Sequence, residues 1–243
     1  MKETVFGFIP ARIDSERLVR KALIEVGGKP LIQWTWERAK RAKQLDEVII
    51  ATDSEEIIEA VKKFGAKTVK TSQHNSGTDR IAEAVRSFAA DIVINIQADE
   101  PLINPAVIDE LTFLMKRDKS LVITTAAVKI DEREKVEEEN IVKVVMDSNN
   151  FALYFSRSLI PYPRRRGFFY KHLGIYAYRR NFLLSFAAMP PSYLEKTEGL
   201  EQLRALEAGY KIKVVVTPYD SVGVDTKQDL EKFKALVESG SNG

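Results

Sequence analysis

The sequence predicts an α/β protein with a mostly parallel central sheet flanked by helices and a smaller strand-rich section. Short runs rich in Val and Ile alternate with longer stretches of helical period, the rhythm of strand and crossover helix. After residue 128 that rhythm gives way to a charged segment at 131–140 and then to strand-like runs. The 243 residues are 44% hydrophobic, enough to bury a substantial core. The expectation is one domain over residues 1–243, with the strand-rich section at about 129–190.

The runs 5–9, 47–51, 91–97 and 121–128 are apolar on successive residues, as strands covered on both faces are. Between them, 30–43 places Ile32, Trp36 and Ala39 on one side of a helix, with Pro30 near its first turn, where a missing N–H costs least. Helices at 54–64, 79–89 and 105–116 follow, the first opened by Thr52, Asp53 or Ser54 and the last by Asn104. Strands are predicted at 142–146, 152–156 and 173–178. The βα rhythm then returns with a helix at 199–208, a strand at 213–216 and a helix at 227–237.

Charge narrows the function. Lys and Arg number 37 against 35 Asp and Glu, so no nucleic-acid partner is expected. With no cysteine there is neither a disulfide framework nor a thiolate metal site. The apolar run within residues 1–12 is short and interrupted, unlike a signal-peptide core, and no apolar run approaches the ~18 residues of a spanning helix. A cytoplasmic protein with no membrane partner is the expectation.

In an open parallel sheet, ligands sit beyond the carboxyl ends of the strands. The first such loop, IPARIDSERLVRKAL, carries Arg12, Arg17, Arg20 and Lys21 within ten residues, a cluster suited to a polyanion such as a triphosphate. The competing reading is a solvated charge run. Glycines too few for a P-loop or a dinucleotide fingerprint argue against an ordinary ATPase or a dehydrogenase. The strand 91–97 runs into Ala98-Asp99-Glu100-Pro101, which places Asp99 where Mg²⁺ would be held beside a phosphate site, unless it is a turn acid. Asp225, before the last helix, is either a helix cap or a second carboxylate for that ion. The loop His74-Asn75-Ser76-Gly77 suits either base recognition through its backbone or helix capping. His172 is either a lining for an anionic second substrate beside Arg157 or a satisfied structural histidine. Two histidines are too few for a His-based metal site or triad.

The motifs PARIDSERL with Lys21, GGKPLIQW, ATD, HNSGTDR, NIQADEP, ALYFSRSLIPY, KHLGIYAY, LEQLRAL and GVDT, in this order from about residue 4 to 235, resemble the 3-deoxy-manno-octulosonate cytidylyltransferases. These are CMP-KDO synthetases of bacterial lipopolysaccharide assembly, within the sugar nucleotidyltransferases. The resemblance implies a Rossmann-like nucleotidyltransferase fold and transfer of CMP from CTP to the anomeric hydroxyl of KDO, with diphosphate released. It also implies Mg²⁺ as cofactor. The sequence leaves oligomeric state open; a homodimer is the expectation, for which Phe168, Phe169 and Tyr170 in the strand-rich section offer an apolar surface.

By the same resemblance, Arg12 and Lys21 meet the CTP phosphates, with Ser15 and Arg17 in the same loop. Ser76, Gly77 and Arg80 surround the cytidine. Asp99 and Asp225 hold Mg²⁺, and Arg12, Lys21 and Asp99 are the catalytic set. Gln97, Arg157, His172, Tyr176, Glu201 and Gln202 line the sugar-acid pocket. The chain departs from the family pattern at Val19-Arg20-Lys21-Ala22, where Pro-Gly-Lys-Pro is usual, and at Ala98, where glycine is usual. The alternatives are a cytidylyltransferase for another acid sugar, such as sialic acid, and a nucleotide-binding module without catalysis.

Overall fold

The computed structural model describes residues 2–14, 18–130, 138–165, 167–221 and 223–239. Its chain divides into two compact units, residues 1–109 with 221–243, and residues 110–220.

In the first unit β1 (Val5–Ala11) is followed by a hairpin of two-residue strands, β2 (Glu25–Val26) and β3 (Lys29–Pro30), and then by β4 (Glu47–Thr52), β5 (Lys67–Lys70) and β6 (Ile92–Asn95). The hairpin turns on Gly27 and Gly28, both at positive φ. Four strands form a parallel sheet in the order β6-β1-β4-β5, with Phe8 opposite Ile49 and Asn95. Val5, Phe8, Ile9, Ile49, Ile50, Val93 and Ile94 are buried, as parallel strands covered on both faces require.

Helices connect these strands at Leu31–Ala39, Glu55–Lys62 and Gly77–Ala84. Ser54 and Ser76 cap the last two by accepting from Ile57 N and Asp79 N. The predicted helix 79–89 thus starts two residues earlier and tightens into a 3-10 turn at Val85–Ser87. A helix at Pro105–Arg117 follows. The last helix, Lys227–Glu238, buries Leu230 and Phe233 in a cluster with Leu18, Val26, Leu31 and Val224. That cluster brings the loop after β1 and the loop before the last helix together, although they come from opposite ends of the sequence.

The second unit holds β7 (Ile123–Ile130), β8 (Lys143–Met146), β9 (Ala152–Ser156), β10 (Phe169–Arg179) and β11 (Lys213–Thr217). Here β7 pairs antiparallel with β10 and parallel with β11, while β8 pairs antiparallel with both β9 and β10. The β7–β10 register shifts between Leu173 and Tyr176. Helices Arg180–Ala187, Tyr193–Glu198 and Gln202–Glu207 complete the unit. Arg204 lies 7% exposed and donates to both oxygens of Glu195 at 2.7 and 2.5 Å, a two-pronged pair that ties the last two helices together.

The sequence expectations miss β5, the β2–β3 hairpin and the helices Arg180–Ala187 and Tyr193–Glu198. Of the aromatic trio at 168–170, Phe168 is exposed but Phe169 is buried in its own unit. Among the described residues no helix is long and apolar enough to cross a membrane.

Candidate active site

Beyond the carboxyl ends of β1 and β6 lies a pocket of about 200 Å³, lined by Arg12, Lys21, Asn75, Ser76, Gln97 and Asp99 among others. Three loops build it. The loop after β1 bends through a 3-10 turn at Lys21–Leu23, entered by Arg20 in the left-handed region at φ 56°. A non-glycine residue rarely adopts that conformation, since its Cβ crowds the backbone. This is the position where the resembled family has glycine. Arg20 also pairs with Glu56.

Lys21 occupies the centre of the site. Its Nζ donates to Asp99 Oδ2 at 2.6 Å and to Asp225 Oδ1 at 2.8 Å. Burial works to lower the lysine pKa, but the charge of Asp99 and the hydrogen bonds to both acids outweigh it, and the pKa is raised. The two acids are held from behind: Val224 N donates to Asp99 O at 2.8 Å, and Thr35 Oγ1 donates to Ala98 O at 3.0 Å. Thr226, not Asp225, caps the last helix, in a reciprocal box with Asp229. The helix-cap reading of Asp225-Thr226 thus holds through Thr226, which leaves the Asp225 side chain to turn to Lys21.

The third loop, residues 74–77, approaches β1 closely. A Cβ on Gly77 would lie 3.1 Å from Pro10 Cγ, so only glycine fits there without displacement. Ser76 lines the pocket while capping its helix, so the capping reading of that loop holds. Arg80 is 3% exposed and spends its charge internally, donating to Thr71 Oγ1 at 2.7 Å and pairing with Asp53 at 3.0 Å. It clamps the pocket wall. Arg12 is exposed on the rim. Ser15 and Arg17 lie outside the described residues. Gln97 lines this same pocket.

A divalent ion would find hard oxygen donors here. Among the described residues no cluster of three or more His, Cys, Asp or Glu is arranged to hold a metal. Mg²⁺ does not need one, since it takes one or two carboxylates and completes its shell with water and substrate oxygens. The Lys21 ammonium already places a positive charge between Asp99 and Asp225, so the chemistry of this pair fits a cation.

The remaining predicted residues lie in the second unit. Arg157 donates its Nε to Glu198 O at 2.9 Å and its Nη1 to Glu139 O at 3.2 Å, while its backbone N donates to Glu198 Oε2 at 3.0 Å. Beneath it, the fully buried Lys143 donates to the carbonyls of Ile141 and Arg157. Glu198 thus holds Arg157, a role that no sequence motif announces. The rings of His172 and Tyr176 lie 5.4 Å apart. Burial raises the Tyr176 phenol well above its ordinary value, and the nearby charge of Glu201 adds to the shift. Burial alone lowers the His172 pKa to about 3, so its ring is neutral at pH 7 even though part of the residue remains open to solvent. Gln202 opens its helix 6% exposed, and its Nε2 has no partner among the described residues.

Comparison with known proteins gives the family. The family model described as Cytidylyltransferase matches residues 6–212. A 3-deoxy-manno-octulosonate cytidylyltransferase of Thermodesulfovibrio yellowstonii is 49% identical over 250 residues, covering 96% of this chain and 98% of its own. Another, of Geotalea uraniireducens, is 47% identical over 242 residues, covering 94% and 96%. A solved CMP:2-keto-3-deoxy-manno-octonic acid synthetase complexed with CTP matches with a TM-score of 0.94 at 41% identity, covering 98% of this chain and 100% of that one. The chain belongs to the cytidylyltransferase family.

Proposed function

We propose that this protein transfers CMP from CTP to the anomeric hydroxyl of 3-deoxy-D-manno-octulosonate, releasing diphosphate. The observation that carries the reading is the Lys21 ammonium between Asp99 and Asp225 at the wall of a pocket that also presents Arg12 and the 74–77 loop. Such a site offers cations to a triphosphate and oxygen donors to a divalent ion. The 41%-identical structure complexed with CTP supports the nucleotide, and the relatives' names support the sugar.

In this mechanism the sugar hydroxyl attacks the α-phosphorus in line, and negative charge grows on the departing diphosphate. Positioning and electrostatic stabilisation then do most of the work. Arg12 and Lys21 stabilise that charge. The close approach at Gly77 lets the backbone of the 74–77 loop read the cytosine edge, with Arg80 holding the wall rigid. Asp99 and Asp225 would hold Mg²⁺, which when bound would neutralise phosphate oxygens and polarise the attacking hydroxyl. Arg157 takes the sugar carboxylate through donors not spent on Glu198 O and Glu139 O, and Gln97, His172, Tyr176, Glu201 and Gln202 address the rest of the sugar. The protein works as a cytoplasmic homodimer in lipopolysaccharide assembly, with no nucleic-acid or membrane partner.

The deciding experiment is a diphosphate-release assay with CTP and KDO, with and without Mg²⁺. Sialic acid replaces KDO in a second arm, and CTP alone serves in a third. Release that requires KDO and Mg²⁺ supports the reading. Preference for sialic acid, or binding of CTP with no release, overturns it.

A further inference from the structure

Thr125, on β7, is fully buried, and its hydroxyl meets three groups at once. Ile175 O lies at 2.7 Å, Leu173 O at 3.2 Å and His172 Nε2 at 3.0 Å. A threonine hydroxyl has a single hydrogen to donate. Both carbonyls can only accept, and the shorter contact claims that hydrogen. The hydroxyl oxygen is then an acceptor toward His172, whose Nε2 must carry the proton. With the ring neutral, Nδ1 is left with a bare lone pair. No hydrogen-bond partner stands at Nδ1 among the described residues.

The local backbone is shaped for this contact. The register of β10 against β7 shifts between Leu173 and Tyr176, so that Tyr176 pairs with Thr125 after Leu173 has paired with Ala126. Bulges of this kind re-aim side chains next to functional sites. The carbonyls inside this one are those that the Thr125 hydroxyl bridges. Phe155 packs edge-on to the imidazole at 5.0 Å, and Tyr176 tilts against it at 5.4 Å.

We infer that Thr125 is a positioning residue for the acceptor sugar: it fixes His172 with the proton on Nε2, so that Nδ1 accepts a hydrogen bond from a sugar hydroxyl. The inference rests on the proposed sugar-acid substrate and sharpens it. A bare nitrogen lone pair repels a carboxylate, so His172 recognises the polyol part of the sugar and leaves the acid group to a cation. Specificity follows, because an analogue lacking the matching hydroxyl would strand a partly buried acceptor.

The chain has only two histidines, so the tautomer can be read directly. Long-range ¹⁵N–¹H correlation on histidine-labelled full-length protein gives two ring patterns, and His74→Gln assigns them by elimination. The expected result is His172 protonated at Nε2 without ligand, with its Nδ1 signal shifting on addition of KDO and not of CTP. Thr125→Val should convert His172 to a tautomer mixture and raise the KM for KDO about tenfold, with the KM for CTP within about twofold. Thr125→Ser, which restores the hydroxyl, should return both readouts toward the parent. Protonation at Nδ1 in the parent protein overturns the inference. So does a tautomer and KDO KM unchanged in Thr125→Val, or a loss in Thr125→Val that Thr125→Ser does not recover. KDO turnover with an Nδ1 signal blind to KDO overturns the inference but leaves the function standing. Absence of KDO turnover in the parent overturns the function and, with it, the sugar role of His172.

Discussion

Lys21 and Asp225 lie 204 residues apart in the chain and meet at 2.8 Å. The same ammonium is 2.6 Å from Asp99, so one cation satisfies two carboxylates from two other loops. A nucleotide and its metal would have to compete for both halves of this arrangement: the phosphates for the lysine, and the ion for the acids. These three groups together carry one formal negative charge, which a divalent ion entering with the nucleotide would meet.

Replacing Asp99 with alanine removes one oxygen donor and leaves Lys21 paired with Asp225, so the fold should persist. The expected outcome is a fall in Mg²⁺-dependent diphosphate release of at least about a hundredfold, with an unaltered circular-dichroism spectrum. Near-parental release by a folded variant would remove Asp99 from the mechanism.

Arg20 holds the left-handed conformation that introduces Lys21, at φ 56°. An L-residue other than glycine gives up roughly 1–2 kcal/mol there. Its exposed ion pair with Glu56 returns little, as surface pairs generally do. Arg20→Gly should therefore stabilise the protein by about 1 kcal/mol, seen as a Tm higher by roughly 2–4 °C. A lower Tm would mean that the arginine side chain contributes more than its backbone costs.

The sequence made these loops legible because β1, β4 and β6 are largely apolar on both faces, and a charged or polar residue follows within two positions of each strand's end. It could not show β5, a four-residue KTVK strand with exposed ends, nor two-residue strands too short to carry a period. The helix Arg180–Ala187 begins without a side-chain cap directly after β10, so no start signal in the sequence marks it. Tyr193–Glu198 was within reach, since Ser192 and Glu195 form a capping box. The sequence offered Asp225 as a second carboxylate beside Asp99 and put Lys21 toward a polyanion, but the pairing of Lys21 with both acids was not legible in it, because no local pattern links loops so far apart in the chain. Thr125 was invisible, since a threonine in a strand reads as a β-former and nothing in its spacing announces a hydroxyl shared by a bulge and an imidazole.

Gly77 tests how closely the base-side loop must pack. An added methyl would press on the Pro10 ring at 3.1 Å, and a proline ring on a central strand gives way poorly. Gly77→Ala should cost roughly 1–3 kcal/mol of stability and raise the KM for CTP several-fold, with the KM for KDO nearly unchanged. An unaffected CTP KM would show that the loop does not read the nucleotide.

Arg157 carries a geometric demand that lysine does not meet. Its Nε and Nη1 are committed to carbonyls of Glu198 and Glu139, while Nη2 meets no partner among the described residues. Arg157→Lys should weaken the apparent affinity for KDO by about tenfold or more and leave CTP binding intact, measured by steady-state kinetics and calorimetry respectively. Unchanged KDO affinity would place the carboxylate elsewhere.

His172 also predicts how stability responds to acid. Its folded pKa, lowered by burial to about 3, lies below the ordinary 6.5 that the unfolded chain regains. Between those values the unfolded state binds a proton that the folded state refuses, so the stability of the fold rises with pH across that window. The contribution is fully present above pH 6.5 and drains away as the pH falls toward 3. Urea denaturation of the parent and of His172→Gln at pH 7.5, 5.5 and 4.5 isolates the effect, because glutamine does not titrate. The parent should lose more stability on acidification than the variant, and the gap should widen steadily below pH 6.5. Parallel losses in the two proteins would show that the imidazole titrates normally in the fold, which would also undercut the neutral ring on which its sugar contact depends.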